Sequence, residues 1–578
     1  MAQHQRPVIY QLLPRIFSNT CPAPMPGAPI TVNGCGKLNG ITDDAIAYIK
    51  SLGCNHIWLT GVLEHSHDAD YTRFGIPRNN PHVVKGRAGS PYAITDYYDI
   101  DPDLAENVDR RIDEFDACVR RIHAAGMKVV IDFVPNHVAR EYASDAAPAG
   151  IEDFGVGDDV DMFFSPRNNF YYIPRQRFEP SVDMGSGDDA YVEFPAKATG
   201  NDCYTAFPGA CDWYDTVKLN YGVDPANGSR HFDPIPPTWF KMLHILRYWA
   251  ARGVDAFRCD MVHMVPVEFW HWAIAAVREH YPHILFIAEI YDVALYRPYI
   301  FDGGFDYLYD KVTLYDTLRA IETGNVSAAC LTSCWQTVEG ISGHMLNFLE
   351  NHDEQRFASE QYAGDPSRAL PSLVVSATIG TGAMMLYFGQ EIGEPAADAE
   401  GYSGHDGRTT IFDYWSVAKV RRLYNGGTCD GPLTDAEQAL LSQYRSVLTL
   451  INREDAFRTG AFFDLMYVNY HNPRFNPHRQ YAFMRRGADA ALLVVVNFDS
   501  EAVEVDVNIP RHAFDTLHMQ PRRCRATELL SGRRAAMSLS DSEPVRCTIS
   551  AHGAVIWRFP LPKAKKDGPA DAFSAEND

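Results

Sequence analysis

The sequence predicts an α/β fold in which parallel strands alternate with helices to form a (β/α)8 barrel. The main observation is that four apolar, strand-like runs each end in a carboxylate, with long helical stretches between them. A second observation is the change after residue 460 to short β-rich runs with turn residues between them, which predicts an antiparallel β-sandwich. Since side chains at the carboxyl ends of barrel strands form active sites, we expect the carboxylates to converge.

The segment Gly253–His263 carries the clearest of these patterns. It follows an amphipathic stretch, Thr238–Arg252, and its apolar run predicts a buried strand. Alternate side chains of a strand share one face, so Arg258 and Asp260 point the same way. The cation favours the ionised form of the carboxylate. The pair is either a structural ion pair or the setting of an ionised Asp that acts as a nucleophile or stabilises a cation.

The other elements follow from the same periodicity arguments. Strands and helices alternate along the first 452 residues, and Thr42 has the position of a helix N-cap. The remaining predicted strands are Pro7–Phe17, His56–Gly61, Lys128–His137, Ile284–Ile290, Gly303–Tyr307, Met345–Asp353 and Ala383–Glu391. The further predicted helices are Ile41–Leu52 and Phe115–Gly126.

Four motifs carry a resemblance to a known family. The sequences Asp-Phe-Val-Pro-Asn-His, Phe-Arg-Cys-Asp, Ile-Ala-Glu and Glu-Asn-His-Asp end strands three, four, five and seven. In order and spacing they resemble the signature regions of the α-amylase family of glycoside hydrolases, glycosidase family 13. The resemblance runs from about Pro7 to beyond Trp415 and therefore covers most of the chain.

The resemblance implies a retaining hydrolase that cleaves α-1,4-glucosidic bonds of maltodextrins or similar α-glucans through a covalent glycosyl-enzyme. Asp260 is then the nucleophile, Glu289 the acid/base and Asp353 the stabiliser of the transition state. Neighbouring strands lie about 4.8 Å apart, which suits the separation of about 5–5.5 Å between the carboxyls of retaining enzymes. We expect Arg258 to keep Asp260 ionised and the apolar neighbours of Glu289 to raise its pKa.

Sugar contacts are implied at further positions. Tyr92 matches the aromatic platform under the cleaved sugar, although a packing tyrosine is the alternative. His137 and His352 are placed to hydrogen-bond the same sugar, and His263 to reach the acceptor side; a structural contact is the alternative for each histidine. Arg258 belongs to the same substrate-binding set. The chain has neither HxxxH nor HExxH spacing, which argues against a catalytic metal.

Two departures from the family pattern bear on specificity. Many starch-cleaving members have Lys-His three and four residues after the nucleophile, and this chain has His263 and Met264 there. Since Met264 cannot make the same hydrogen bond, specificity for long starch is in doubt. Exo-acting α-glucosidases have an Asp three residues before the platform tyrosine, where this chain has Gly89, so an open cleft for oligosaccharides is favoured.

The resemblance also implies the domain boundaries. The catalytic barrel is expected over 1–137 and 225–452, with domain B inserted over 138–224. Val217–Tyr221 resembles the family's short fifth motif near the end of that insertion. A C-terminal β-sandwich is expected over 455–562. The polar segment 563–578 lacks β-branched residues and is predicted to be disordered.

The composition limits the partners and the compartment. A net charge of −22 argues against nucleic acid or an anionic membrane as a partner. The 12 cysteines include no CxxC pair, which favours free thiols in a reducing compartment. The N-terminus has no apolar signal core, and no run of about 18 apolar residues occurs, so we expect a cytoplasmic protein without a membrane span. Oligomeric state does not follow from the sequence.

No cofactor is required for the expected chemistry. Asn136 stands where many α-amylases have their first calcium ligand, so a structural calcium ion is one expectation. The alternative is an asparagine that holds the junction with domain B. Two other functions use the same fold. A transglycosylase would have the same residues but a sugar as acceptor, and a non-catalytic family member would lack the carboxylates that this chain retains.

Overall fold

A computed structural model describes residues 5–400, 402, 404–424 and 432–562. The chain forms two compact units. The first comprises Met1–Val326 and Ser333–Thr449, and the second comprises Ser327–Thr332 and Leu450–Asp578. The segment 563–578, for which the sequence predicts disorder, lies outside the described residues.

Eight parallel strands in the first unit close into a barrel, which confirms the predicted fold class. Each strand pairs with its neighbours in the chain, and β8 closes the ring by pairing with β1. The strands are β1 Val8–Leu12, β2 His56–Leu59, β3 Lys128–Phe133, β4 Ala256–Cys259, β5 Leu285–Ala288, β6 Tyr307–Tyr309, β7 Met345–Asn347 and β8 Ala383–Tyr387.

Helices follow the strands along the chain. Thr42 caps the first of them as predicted, because its side chain accepts a hydrogen bond from the Ala45 N–H. The helices are α1 Asp43–Ser51, α2 Arg111–Ala124, α3 Pro237–Ala251, α4 Val267–Arg278, α5 Tyr296–Phe301, α6 Asp316–Glu322, α7 Leu331–Thr337, α8 Ala369–Thr378, α9 Ala418–Tyr424 and α10 Asp435–Arg453. Further short helices are Pro14–Phe17, Ile30–Asn33, Asp455–Arg458, Met466–Asn469 and Arg511–Thr516.

The barrel strands are buried on both faces, which explains why they appear as continuous apolar runs in the sequence. Strand β6 begins at Tyr307, where the predicted strand Gly303–Tyr307 ends. Gly304 has a φ of +88°, and the Phe305 N–H bonds back to the carbonyl of Tyr299. The two glycines therefore form the turn that ends α5, and the strand starts after it.

Between β3 and α3 the chain makes a long excursion with little regular structure. The strand His137–Ala139 leaves the barrel and pairs antiparallel with Thr216–Lys218, where the excursion returns. A shorter pair, Tyr172–Ile173 with Ala196–Lys197, lies further out. The excursion has a small core of its own, formed by Ile173, Phe178, Ala196, Ala206 and Tyr214. A third pair, Leu63–His65 with Ile94–Ile100, lies in the loop after β2.

The second unit contains the predicted antiparallel β domain. A six-stranded sheet has the order β9-β10-β11-β16-β13-β14, and β12 pairs with β15 in a separate sheet. These strands are β9 Ala461–Asp464, β10 Gln480–Arg486, β11 Ala490–Asn497, β12 Val503–Val507, β13 Arg522–Glu528, β14 Arg534–Leu539, β15 Val545–Ile549 and β16 Gly553–Pro560. Within the described ranges, no helix has the length and apolar character needed to cross a bilayer.

Candidate active site

A cavity of about 350 Å³ lies at the carboxyl ends of the barrel strands. All three carboxylates that the sequence singles out, Asp260, Glu289 and Asp353, line it. Tyr92 and His137 line it as well. The structure therefore brings together residues that are up to 261 positions apart in the chain, as expected when strand ends converge.

Arg258 lies beneath this cavity and is fully buried. Its Nη1 is 2.8 Å from Asp260 Oδ1, and its Nη2 is 3.0 Å from Glu289 Oε2. One planar guanidinium thus holds both carboxylates, a geometry that suits its fork of donors. Rings of Trp58, Tyr92 and Tyr309 surround the guanidinium, with centroids 5.3–5.5 Å from Cζ.

Glu289 receives more hydrogen bonds than its apolar neighbours in the sequence suggest. In addition to its ion pair with Arg258, Glu289 accepts two hydrogen bonds. The Met261 N–H donates to Oε2 over 2.9 Å, and the Tyr291 hydroxyl donates to Oε1. Burial acts to raise the pKa of Glu289, but Arg258 and these two donors outweigh it, so the pKa lies below its ordinary value. The direction of this shift is therefore opposite to the expectation of a raised pKa at Glu289.

Asp260 shows the opposite behaviour. Burial and the negative charge of Glu289 raise its pKa well above the ordinary value, although Arg258 acts to lower it. The direction of this shift is opposite to the expectation that Arg258 keeps Asp260 ionised, because one cation serves two buried carboxylates and Glu289 has the better donors.

Asp353 is more exposed than Asp260 and Glu289. Its side chain is 37% exposed, and its Oδ2 lies 4.0 Å from Arg258 Nη2. Partial removal of the carboxyl from water, followed by the charge of Glu289, raises its pKa to about 7. A polar atom on a bound sugar can thus reach Asp353 from the cavity, whereas Asp260 and Glu289 lie deeper.

His352 connects Asp353 to the barrel floor. Its Nδ1 lies 2.7 Å from the Gln11 amide nitrogen, and its Nε2 lies 3.0 Å from Asp353 Oδ2. The amide is a donor, so Nδ1 accepts and Nε2 carries the proton. The ring stacks on Tyr92 with centroids 5.4 Å apart. Burial, followed by the charge of Arg258, holds the pKa of His352 well below its ordinary value, so the ring is neutral.

A fourth carboxylate, Asp132 in β3, lies behind the cavity. It accepts hydrogen bonds from Trp58 Nε1 over 3.1 Å and from the Gly61 N–H over 3.2 Å. The Tyr92 hydroxyl donates to its other oxygen over 3.3 Å. Burial raises the pKa of Asp132 to about 6. Asp132 thereby fixes the orientation of Tyr92, the candidate sugar platform.

His137 and His263 line two different cavities. His137 faces the cavity, and its ring centroid is 5.2 Å from that of Trp213. Burial, followed by the charges of Lys218 and Lys85, lowers the pKa of His137 to about 3, which keeps it neutral. His263 lines a separate groove of about 480 Å³ and not the central cavity. It therefore lies outside the cavity that holds Tyr92.

Several cavity residues are absent from the sequence-based prediction. Tyr291 lies two residues after Glu289, beyond the end of β5, and its hydroxyl donates to Glu289. Trp213, Lys85 and Asp215 come from irregular loops, where no periodicity exists to indicate direction. The Lys85 ammonium pairs with Asp215 over 2.9 Å at the cavity wall.

The residues around Asn136 do not fit a calcium site. Its side-chain oxygen, the predicted ligand atom, accepts a hydrogen bond from the Lys218 ammonium. Its amide nitrogen donates to the Gly200 carbonyl over 2.7 Å. A positive charge already stands where the ion would have to lie, and two like charges at contact distance repel strongly in a buried setting. This disagrees with the expectation of calcium at Asn136.

Comparison with protein families agrees with the geometry. The model of the alpha amylase catalytic domain matches residues 11–164 and 238–414, more than half of the chain. The chain belongs to the alpha-amylase family. This family is glycoside hydrolase family 13, as the four motifs indicate. The unmatched interval from 165 to 237 falls in the excursion between β3 and α3, apart from Pro237, which begins α3.

Individual relatives are distant. "Alpha-amylase MalA" of Haloarcula japonica is 25% identical over 468 residues, which are 80% of this chain and 52% of the relative. The cyclomaltodextrinase of Thermoanaerobacter pseudethanolicus is 22% identical, over 89% of this chain and 74% of its own length. This chain thus spans about half the length of the first relative. The solved maltogenic alpha-amylase AmyB of Thermotoga neapolitana has a TM-score of 0.61 at 19% identity, covering 96% of this chain and 99% of its own, and shows the shared fold.

Proposed function

We propose that the protein is a retaining glycoside hydrolase that cleaves α-1,4-glucosidic bonds of maltodextrins. The observation that carries the proposal is the position of Asp260 and Glu289 on one guanidinium, facing a cavity with room for sugar. Two carboxyl groups on adjacent strands are what a double displacement at an anomeric carbon requires. The alpha-amylase and cyclomaltodextrinase relatives support an α-glucan as substrate.

The first step needs protonation states opposite to the directions of the two pKa shifts, which raise the pKa of Asp260 and lower that of Glu289. Asp260 must be ionised to attack the anomeric carbon, and Glu289 must carry the proton that the leaving oxygen receives. Both carboxyls contact the Arg258 guanidinium, so a change in the charge of one shifts the pKa of the other. A bound sugar covers Glu289 from water, which favours its neutral form.

The remaining steps conserve atoms and charge. Glu289 gives its proton to the glycosidic oxygen as Asp260 forms the ester bond to the anomeric carbon, and the shortened glucan leaves. Water then gives a proton to the Glu289 carboxylate and its oxygen to the anomeric carbon, which frees Asp260. Asp353, held by His352, hydrogen-bonds the sugar while positive charge develops on the ring.

Gly89 supports a cleft for oligosaccharides. Its φ is +69°, and a Cβ at this position would lie 1.6 Å from the Ser66 carbonyl oxygen. No side chain fits there, so an aspartate of the exo-glucosidase type is sterically excluded. The result supports the interpretation that the enzyme binds more than a terminal glucose unit.

The deciding experiment is incubation with maltoheptaose, with products and their anomeric form followed by NMR. We expect shorter maltodextrins of α configuration from the wild type and none from Asp260→Asn. Glu360→Gln, which changes an exposed carboxylate, is the matched control and should behave as the wild type. Products longer than maltoheptaose would favour the transglycosylase. Unchanged maltoheptaose with folded wild-type protein would refute the α-1,4-glucan assignment.

A further inference from the structure

Lys218 is buried at the base of the excursion between β3 and α3, with 4% of its surface exposed. It ends the strand Thr216–Lys218 and lies opposite His137 in the antiparallel pair. A lysine is rarely buried unless its ammonium has partners, because desolvation of the charge is costly. The partners of this ammonium therefore indicate why it is there.

The Lys218 Nζ has three oxygen neighbours from three different segments. It donates to the Asn136 side-chain oxygen just after β3 and, over 3.1 Å, to the Met264 carbonyl after β4. Its third neighbour is Asp202 Oδ1, 2.7 Å away in the excursion. An ammonium has three N–H donors, so this set satisfies all of them. The single charge thus ties the inserted segment to the barrel at two points, Asn136 and Met264, and pairs with Asp202 within the segment.

The same three oxygens are of the kind that bind calcium. An amide oxygen, a backbone carbonyl and a carboxylate are typical ligands of Ca²⁺, and Asn136 is the residue for which the sequence predicts that role. In this chain the ammonium lies among them. We propose that the Lys218 ammonium is a built-in cation that takes the place of a divalent ion at this junction, so that the inserted segment is anchored without metal.

The hydrogen bond to the Met264 carbonyl links the Lys218 ammonium to the turn that follows β4. Met264 lies four residues after Asp260, and the Met264 N–H bonds to the Met261 carbonyl, so Lys218 holds the end of this turn. The Met261 N–H in turn donates to Glu289. Burial lowers the pKa of Lys218, and the Asp202 carboxylate opposes that effect. Lys218 is thus a positioning residue whose charge Asp202 supports.

The first test uses the wild-type chain. Its melting temperature and its fluorescence with Tb³⁺ are measured after EDTA treatment and then with up to 10 mM CaCl₂. We expect a shift in melting temperature below about 1 °C in either condition and no saturable Tb³⁺ signal from this junction. A melting temperature that falls by several degrees in EDTA and returns with Ca²⁺, in the wild type but not in Asp202→Asn, would overturn the proposal.

The second test removes the ammonium and leaves the oxygens. Lys218→Ala should lower the melting temperature by several degrees, and millimolar Ca²⁺ should restore part of the loss in a saturable manner. Adding Asp202→Asn should abolish this rescue, because the only charged ligand is lost. Lys197→Ala, which removes another lysine of the excursion that pairs with Glu193, is the matched control and should not respond to Ca²⁺.

Each outcome bears on the proposal and not on the reaction, because the readout is unfolding. If Lys218→Ala folds and loses stability but Ca²⁺ has no effect, the three oxygens do not form a cation cage and the proposal fails. If Lys218→Ala does not fold, Lys218→Arg keeps the charge and takes its place. We expect Lys218→Arg to be insensitive to EDTA, and a calcium requirement in it would contradict the proposal.

Discussion

Two acidic clusters in the first unit are built from similar parts. The cluster at the barrel cavity, which we propose to be the catalytic cluster, has four carboxylates, Asp132, Asp260, Glu289 and Asp353, within 4.0 Å of Arg258. The second cluster is formed by Glu64, Asp96, Asp99 and Asp145. In it, Arg111 pairs with Asp99 and Asp145. Carboxylate oxygens of Glu64, Asp99 and Asp145 lie within 4.8 Å of one another. In each cluster the carboxyl groups outnumber the arginine. Each cluster contains a carboxyl group with a raised pKa, Glu64 in the second and Asp353 in the first.

The difference lies in where the backbone delivers the side chains. The catalytic carboxylates come from strand ends around the barrel and meet at a cavity, whereas Glu64 lies opposite Asp96 on two paired strands of a loop. Burial, followed by the charges of Asp96 and its neighbours, raises the pKa of Glu64 to about 9. A perturbed pKa is therefore shared by both clusters, and convergence on a sugar-sized space distinguishes the catalytic one.

The largest effect that separates the clusters is expected from Glu289→Gln. Removing a general acid typically costs about 10²–10⁴-fold in rate, so kcat for maltoheptaose should fall by that factor. The corresponding change in the other cluster, Glu64→Gln, should leave kcat within about twofold. Steady-state rates of both variants at pH 7 provide the comparison. A similar loss of kcat in both would show that the clusters do not differ in the way proposed.

An intermediate effect is expected in the pH dependence. Asp353 has a pKa of about 7, raised by burial and by the charge of Glu289. The carboxylate form stabilises the developing positive charge, so activity is lost as the pH falls through this value. We expect kcat/KM to decrease about tenfold per pH unit below pH 7, since this ratio reports the free enzyme.

Measurement of kcat/KM from pH 4 to 9 checks this expectation, with the melting temperature followed at each pH to exclude unfolding. Glu64→Gln should shift the limb by less than about 0.3 pH units. An acidic limb near pH 4 would show that Asp353 titrates as an ordinary aspartate and that its surroundings do not raise its pKa.

The sequence predicts the barrel, and the carboxylates that line its cavity, because local periodicity indicates the strands and the residues at which they end. Each of Asp260 and Glu289 follows a short apolar strand, and the alternation that puts Arg258 and Asp260 on one face holds in the structure. The C-terminal β domain was predictable for the same reason, since a short alternating strand such as β12 is visible without knowledge of the fold.

The electrostatics of the site could not be predicted in this way. The donors that lower the pKa of Glu289 include the Met261 backbone N–H, whose direction depends on a positive φ of 44° at Met261. The ammonium at Asn136 comes from Lys218, 82 residues later, across a segment with little regular structure. Contacts that depend on loop geometry leave no periodic signal in the sequence.

The smallest effect concerns the stability contributed by the second cluster. The folded-state pKa of Glu64, about 9, lies above its unfolded value of about 4.3, so the folded protein binds this proton more tightly. Its contribution to stability is complete below pH 4.3 and is lost as the pH rises toward 9.

Glu64→Gln keeps the neutral, hydrogen-bonding form at every pH. We therefore expect it to stabilise the protein at pH 8 by about 1–3 kcal/mol and to have little effect at pH 4.5. Urea denaturation at both values, with Glu360→Gln as the exposed control, gives the difference. An equal effect at the two pH values would mean that Glu64 is ionised in the folded protein, and Arg111 would then suffice to balance the cluster.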